Sequence, residues 1–187
     1  CICGKYLKAE GLLATDKITA TVMSNIGLHK HLKEYGIGVD VTKVGDRYVL
    51  ESMRETGSVL GGEQSGHMIF LNYTTTGDGV LSSLQFMKAY LDSGKKLSEL
   101  RDEIQIYPQA LVNARVDNAF KATALEDEEV KKFISDIEAK MEGTGRVLIR
   151  PSGTEPLIRV MLEGEDIDEI QGYAKQVAAL ISDKFGK

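Results

Sequence analysis

The sequence has few cysteines, no long apolar run and no excess of positive charge, and each lack removes a class of protein. Its two cysteines, Cys1 and Cys3, stand side by side at the start of the 187 residues. A disulfide framework needs more of them, and a zinc site needs further ligands nearby. Reduced thiols of a cytoplasmic protein are the expected state. No stretch reaches the ~20 consecutive apolar residues that span a bilayer, so no membrane partner is expected. The formal charge is −5. Nucleic acid is therefore not an expected partner, since such binders carry a basic stripe. Room remains for one phosphorylated small molecule held by a few local arginines. No signal-peptide pattern opens the chain. A sequence that starts at cysteine, already in a helical pattern over 4–13, reads as a piece of something longer.

With 42% hydrophobic and 27% charged residues, there is enough apolar material for a real core. Up to residue 107, strands alternate with helices of about ten residues. Strands are expected at Thr19–Met23, Val39–Val44 and Met68–Leu71, and helices at 26–35 (stopped by Gly36), 47–55 and 79–92. Asp78 is placed to cap the last of these, whose apolar residues Val80, Leu81, Leu84, Met87 and Leu91 share one face. A short helix follows from Leu97 to Ile104. The pattern changes near Tyr107-Pro108, where a boundary is expected between 1–107 and 108–187. The second part reads as a strand at 110–116, a helix over 126–142, strands at 146–150 and 157–163, and a helix over 167–184. That helix should turn Ile167, Ile170, Tyr173, Val177 and Leu180 inward. The fold class is α/β: a mixed-sheet α/β domain, then a small α+β domain.

Three segments carry chemistry. In Arg150-Pro-Ser-Gly-Thr-Glu-Pro156, Arg150 offers a bidentate guanidinium, Ser152 and Thr154 offer hydroxyls, and Gly153 permits N–H groups to converge on an anion. Arg159 on the next strand adds a second positive charge. The other reading is a tight β-connection whose hydroxyls make local turn bonds. In Gly61-Gly-Glu-Gln-Ser-Gly-His67, Glu63, Ser65 and His67 alternate and in an extended stretch share one side. They suit sugar hydroxyls or an ammonium group, and the alternative is a solvated glycine-rich turn. His67 is the acid/base candidate, with His29 and His31 read as surface residues. The third segment holds Asp46 and Arg47 at a strand-to-helix turn, where Asp46 fits an N-cap. No P-loop, HExxH or EF-hand pattern occurs, so no metal ligands are expected in this chain.

Taken in order, Thr21-Val-Met-Ser-Asn25, Val44-Gly-Asp-Arg-Tyr-Val49, Gly61 to His67, Thr75-Thr-Gly-Asp-Gly79 and Arg150 to Arg159 resemble the α-D-phosphohexomutase family along the whole chain. The family has four domains, and the resemblance is to its third and fourth. It implies an isomerase that moves a phosphoryl group through a phosphoserine and a bisphosphorylated sugar, with Mg2+ held by an aspartate-rich DGDxDR loop. Neither loop occurs in this sequence, so the resemblance implies partner domains N-terminal to it and an inactive piece by itself. It also implies that Arg150, Ser152, Gly153 and Thr154 grip a phosphate, that Glu63 and Ser65 hold ring hydroxyls beside His67, and that Asp46 and Arg47 border the site. Gln64 favours the glucosamine branch: glucosamine 6-phosphate and 1-phosphate on the route to UDP-N-acetylglucosamine and peptidoglycan. The alternatives are the mannose or glucose branch, or a non-catalytic sugar-phosphate-binding module.

Overall fold

The computed structural model describes residues 1–186. They form two compact units, Cys1–Ile106 and a second that begins at Tyr107. The first unit runs α1 (Ile2–Ala9), β1 (Lys17–Thr21), α2 (Ile26–Glu34), β2 (Gly38–Thr42), α3 (Asp46–Thr56), β3 (Leu60–Gly62), β4 (Met68–Phe70), α4 (Gly79–Ser93) and α5 (Leu97–Asp102). Its sheet has the order β2-β1-β3-β4, with β1 parallel to both neighbours and β4 antiparallel to β3. Neighbouring residues of β4 point to opposite faces. Ile69 packs with Val49 and Met53 of α3, whereas Phe70 joins Leu7, Ile18 and Leu32. Helices thus cover both faces, and the mixed α/β class holds.

Several boundaries differ from the sequence reading. Helix α1 ends at Ala9 rather than near residue 13, because Gly11 turns the chain at φ 67° and the Leu12 N–H bonds back to Leu7. Strands β1 and β2 each begin earlier and stop near residues 21 and 42, where their shared ladder ends. Asp46 is the first residue of α3, and Gly45 occupies the cap position. His31 is a buried residue rather than a surface one, its ring centroid 5.0 Å from that of Tyr35 and tilted at 51° to it. His29 is half-buried. On α4, the Asp78 cap accepts the Leu81 N–H at 2.9 Å as expected, and Leu81 packs on the core. Val80, Leu84, Met87 and Leu91 instead remain exposed, and Ala89 is the buried contact. A period identifies a face, but not what lies against it.

The second unit runs β5 (Gln109–Arg115), a 3-10 turn (Asn118–Phe120), α6 (Lys121–Glu126), α7 (Glu128–Lys140), β6 (Arg146–Pro151), β7 (Leu157–Glu163) and α8 (Ile167–Phe185). The strands form an antiparallel sheet, β5-β7-β6. Ile158, Val160 and Leu162 of β7 face a core completed by Val130 and Ile137 of α7 and by Ile170, Ala174, Val177 and Ile181 of α8. Ile167 is exposed, contrary to expectation, because it opens α8 beside the cap Asp166, ahead of the buried stripe. Helix α6 has no counterpart in the sequence reading. The acidic run divides between Glu126 at its end and Asp127, which caps α7 by accepting the Glu129 and Val130 N–H groups.

One charged cluster joins three helical segments of the first unit. Glu103, just after α5, accepts hydrogen bonds from Lys5 of α1 and from Lys95 at 2.5 Å. Lys5 also contacts His31 at 3.2 Å. Hydrogen bonds from Lys5 and Lys95 hold the Glu103 carboxyl down to about 2, against an ordinary 4.5. Burial, then the nearby Lys5 charge, lowers the His31 pKa. Both groups stabilise the fold in their deprotonated forms, so their contribution is present at neutral pH and lost on acidification. For Glu103 that loss falls as pH drops from about 4.5 towards 2. Glu103→Gln should therefore lower the melting temperature at pH 6, with the gap to wild type closing towards pH 2.5. Thermal melts across that range check this.

Candidate functional site

In α/β sheets, ligand clefts form beyond the carboxyl ends of parallel strands. Here β1 ends at Thr21, β2 leads into Val44 and Gly45, and β3 leads into Glu63. Thr21, Met23, Val44, Gly45, Asp46, Glu63, Gln64 and Ser65 line a cleft of about 570 Å³ at that edge. The loops are tied together: Glu63 Oε1 accepts the Gly45 N–H at 2.9 Å. A larger hollow of about 850 Å³ lies near Leu97 and Ile106, but its charged groups, Arg101 and Asp102, pair with each other at 3.2 Å.

The segment 63–67 is a closed hairpin turn, not the extended stretch that alternation implied. Glu63 N–H bonds to His67 O at 2.8 Å, and Gly66, at φ 93°, bonds back to Glu63. This turn separates the three side chains. Glu63 and Ser65 line the first cleft, whereas Ser65 and His67 line a second of about 340 Å³ at the N-terminus of α4. His67 Nε2 accepts the Gly77 N–H at 3.2 Å and lies 3.5 Å from Asp46 Oδ2. Asp46 thus stands at the rim of the first cleft and beside His67. Arg47 does not enter either lining; its exposed guanidinium pairs with Glu51 at 2.8 Å, which raises its pKa. The glycines have structural reasons as well. A Cβ on Gly61 would lie 2.5 Å from Met53 Sδ, and one on Gly77 would lie 2.3 Å from the His67 ring.

In the second unit, Arg150 of β6 and Arg159 of β7 are direct cross-strand partners. Two like charges so placed repel. Arg159 is neutralised by Glu155 at 3.0 Å, while Arg150 has no hydrogen-bond or ion-pair partner among the described residues. Pro151 belongs to the edge strand β6, leaving 152–156 as the loop. Ser152 is buried and makes the local bonds of a tight β-connection: its N–H donates to Leu157 O, and its Oγ accepts the Glu155 N–H. Gly153 is not in the left-handed region, and a Cβ there would meet nothing within 4 Å. Gly153 and Thr154 are exposed. Lys121, on the unforeseen α6, donates to the Ser152 and Glu155 carbonyls at 2.7 and 2.5 Å. Asp117 caps the 3-10 turn that leads into α6 by accepting the Ala119 N–H, and α6 itself opens after Phe120 without a side-chain cap. No group of three His, Cys, Asp or Glu residues able to hold a metal occurs among the described residues. These side chains do not fit a magnesium site. No described helix is long and apolar enough to cross a membrane.

Residues 1–107 match phosphoglucomutase/phosphomannomutase alpha/beta/alpha domain III, and residues 111–180 match the C-terminal domain of that family. The chain belongs to the phosphoglucomutase/phosphomannomutase family. It is 52% identical to phosphoglucosamine mutase of Streptococcus gordonii over 99% of its length, and 54% identical to that of Ruminiclostridium cellulolyticum over 98%. In both cases it spans about 41% of the relative. In fold it resembles Aspergillus fumigatus N-acetylphosphoglucosamine mutase, solved with glucose 1,6-bisphosphate, with a TM-score of 0.75 at 18% identity over 100% of this chain and 42% of that one.

The closeness of Gly77 to His67 generates a test. Gly77→Ala should displace the imidazole, shift its ring resonances and cost ~1–3 kcal/mol of stability, as overpacking does. Ring NMR and chemical denaturation read the two effects.

Proposed function

We propose that this chain supplies sugar and phosphate recognition for a phosphoglucosamine mutase, which interconverts glucosamine 6-phosphate and glucosamine 1-phosphate in the cytoplasm. The observation that carries the phosphate half is Arg150, uncompensated and opposed by Arg159, beside the exposed Gly153 and Thr154. A phosphate dianion supplies the counter-charge that Arg150 lacks. It can take a bidentate bond from Arg150 and further bonds from the turn's N–H groups and the Thr154 hydroxyl. Ser152 shapes the turn and retains its hydroxyl proton for donation.

The sugar half rests on the first cleft. Glu63 uses one carboxylate oxygen on Gly45, leaving the other for a hydroxyl or ammonium. Ser65, which lines both clefts, adds a hydroxyl. His67, with Asp46 beside it, is suited to hold or pass a proton. The identity of 52–55% to phosphoglucosamine mutases supports the amino-sugar substrate. The phosphoserine, and magnesium as the electrostatic partner of the transferred phosphoryl group, belong in this proposal to the rest of a full-length enzyme. Bisphosphorylated glucosamine is the intermediate this chain would hold.

Arg150→Ala should weaken binding of inorganic phosphate and glucosamine 6-phosphate by ~1.5–3 kcal/mol. Calorimetric titration measures it, and unchanged affinity in a folded variant contradicts the phosphate assignment. This chain alone, given magnesium and a bisphosphate activator, should form glucosamine 1-phosphate only at the background rate. Clear turnover would contradict the division of labour.

A further inference from the structure

Lys121 reaches the phosphate turn from an element that carries none of the candidate recognition residues. It lies at the start of α6, more than thirty positions from the far end of the turn, and its ammonium holds the Ser152 and Glu155 carbonyls together. A trans peptide is planar, with its C=O and N–H pointing in opposite directions, and no peptide bond in the described chain is cis. The Ser152 carbonyl shares its peptide plane with the Gly153 N–H. Fixing that carbonyl on Lys121 therefore fixes the Gly153 N–H away from Lys121. The Glu155 carbonyl shares its plane with Pro156, which has no N–H, so the second bond anchors the turn without sacrificing a donor. Hydrogen bonding at the carbonyl also polarises the peptide and strengthens its N–H as a donor.

Resting on the phosphate reading above, we propose that Lys121 is a positioning residue for phosphate recognition: its ammonium orients and polarises the 152–153 peptide so that the Gly153 N–H is presented to the anion. Its charge adds to the field of Arg150 without needing contact with the ligand. A purely structural tie would hold the loop but leave phosphate affinity and the Gly153 amide indifferent to the charge. The internal bonds of Ser152, to Leu157 and from Glu155, close the turn independently of Lys121. Removal of the ammonium should accordingly loosen the presentation of the peptide rather than unfold the unit.

The test compares Lys121→Met, which keeps the aliphatic stem, with Lys121→Arg, which keeps charge and donors. Inorganic phosphate is the probe, titrated while the Gly153 amide is followed by NMR. Lys121→Met should weaken phosphate binding roughly tenfold, the lower end for a charge-assisted bond, and move the ligand-free Gly153 amide towards its exposed-loop shift. Lys121→Arg should bind within about threefold of wild type. Equal affinity for wild type and Lys121→Met would overturn the positioning role while leaving the phosphate reading intact. Wild type that binds no phosphate at residues 150–155 would overturn both. Should Lys121→Met fail to fold, a tenfold or greater loss in Lys121→Arg would also overturn the proposal.

Discussion

The register of the antiparallel sheet is the constraint on which the second unit depends. Glu163, fully buried, accepts a hydrogen bond from Arg146 at 2.6 Å and one from Gln109 at 3.1 Å. Those residues are its direct partners on the two flanking strands. A one-residue slip would reverse every side chain of a strand, sending Arg159 into the core and Ile158 or Val160 out of it. A buried carboxylate stripped of its partners costs ~3–5 kcal/mol, so the slipped arrangement is strongly disfavoured. The same register sets Arg150 against Arg159 four positions along, at the mouth of the turn.

In the first unit, the corresponding tie is the Glu63–Gly45 hydrogen bond across the ends of the parallel strands. It joins the loop after β2 to the hairpin after β3 and leaves one carboxylate oxygen unused. The hairpin turn then decides which side chain faces which cleft. Ser65 is common to both, and His67 is drawn off to the start of α4 by the Gly77 N–H. Each candidate loop is therefore held by bonds internal to its own unit.

Much of this was legible in the residues. The strand 157–163 and the cap at Asp78 follow from local rules, and β7 and α4 carry them out. What escaped had physical causes. Helix α6 has six residues and buries only Ala124, too little for a period to register. Alternation at 63, 65 and 67 suggested one shared side, but the turn that reverses the chain there cancels it. The apolar stripe of α4 was visible, yet its exposure was not, because periodicity is silent about neighbours. His31 looked solvated beside lysines, whereas Lys5 and Tyr35 enclose it. The local turn bonds of Ser152 were one of the two readings open in the sequence, whereas the reach of Lys121 to the Ser152 and Glu155 carbonyls was not legible there.

The central claim is that the turn at 150–155 recognises phosphate and the loop at 61–67 recognises sugar. Its most direct test is an amide NMR titration of this chain with inorganic phosphate, with glucosamine, and with glucosamine 6-phosphate. Shifts are expected at 150–155 with phosphate, and at 61–67 when the amino sugar is present. Well-dispersed spectra in which neither loop responds, or in which phosphate perturbs only residues far from Arg150, would contradict it.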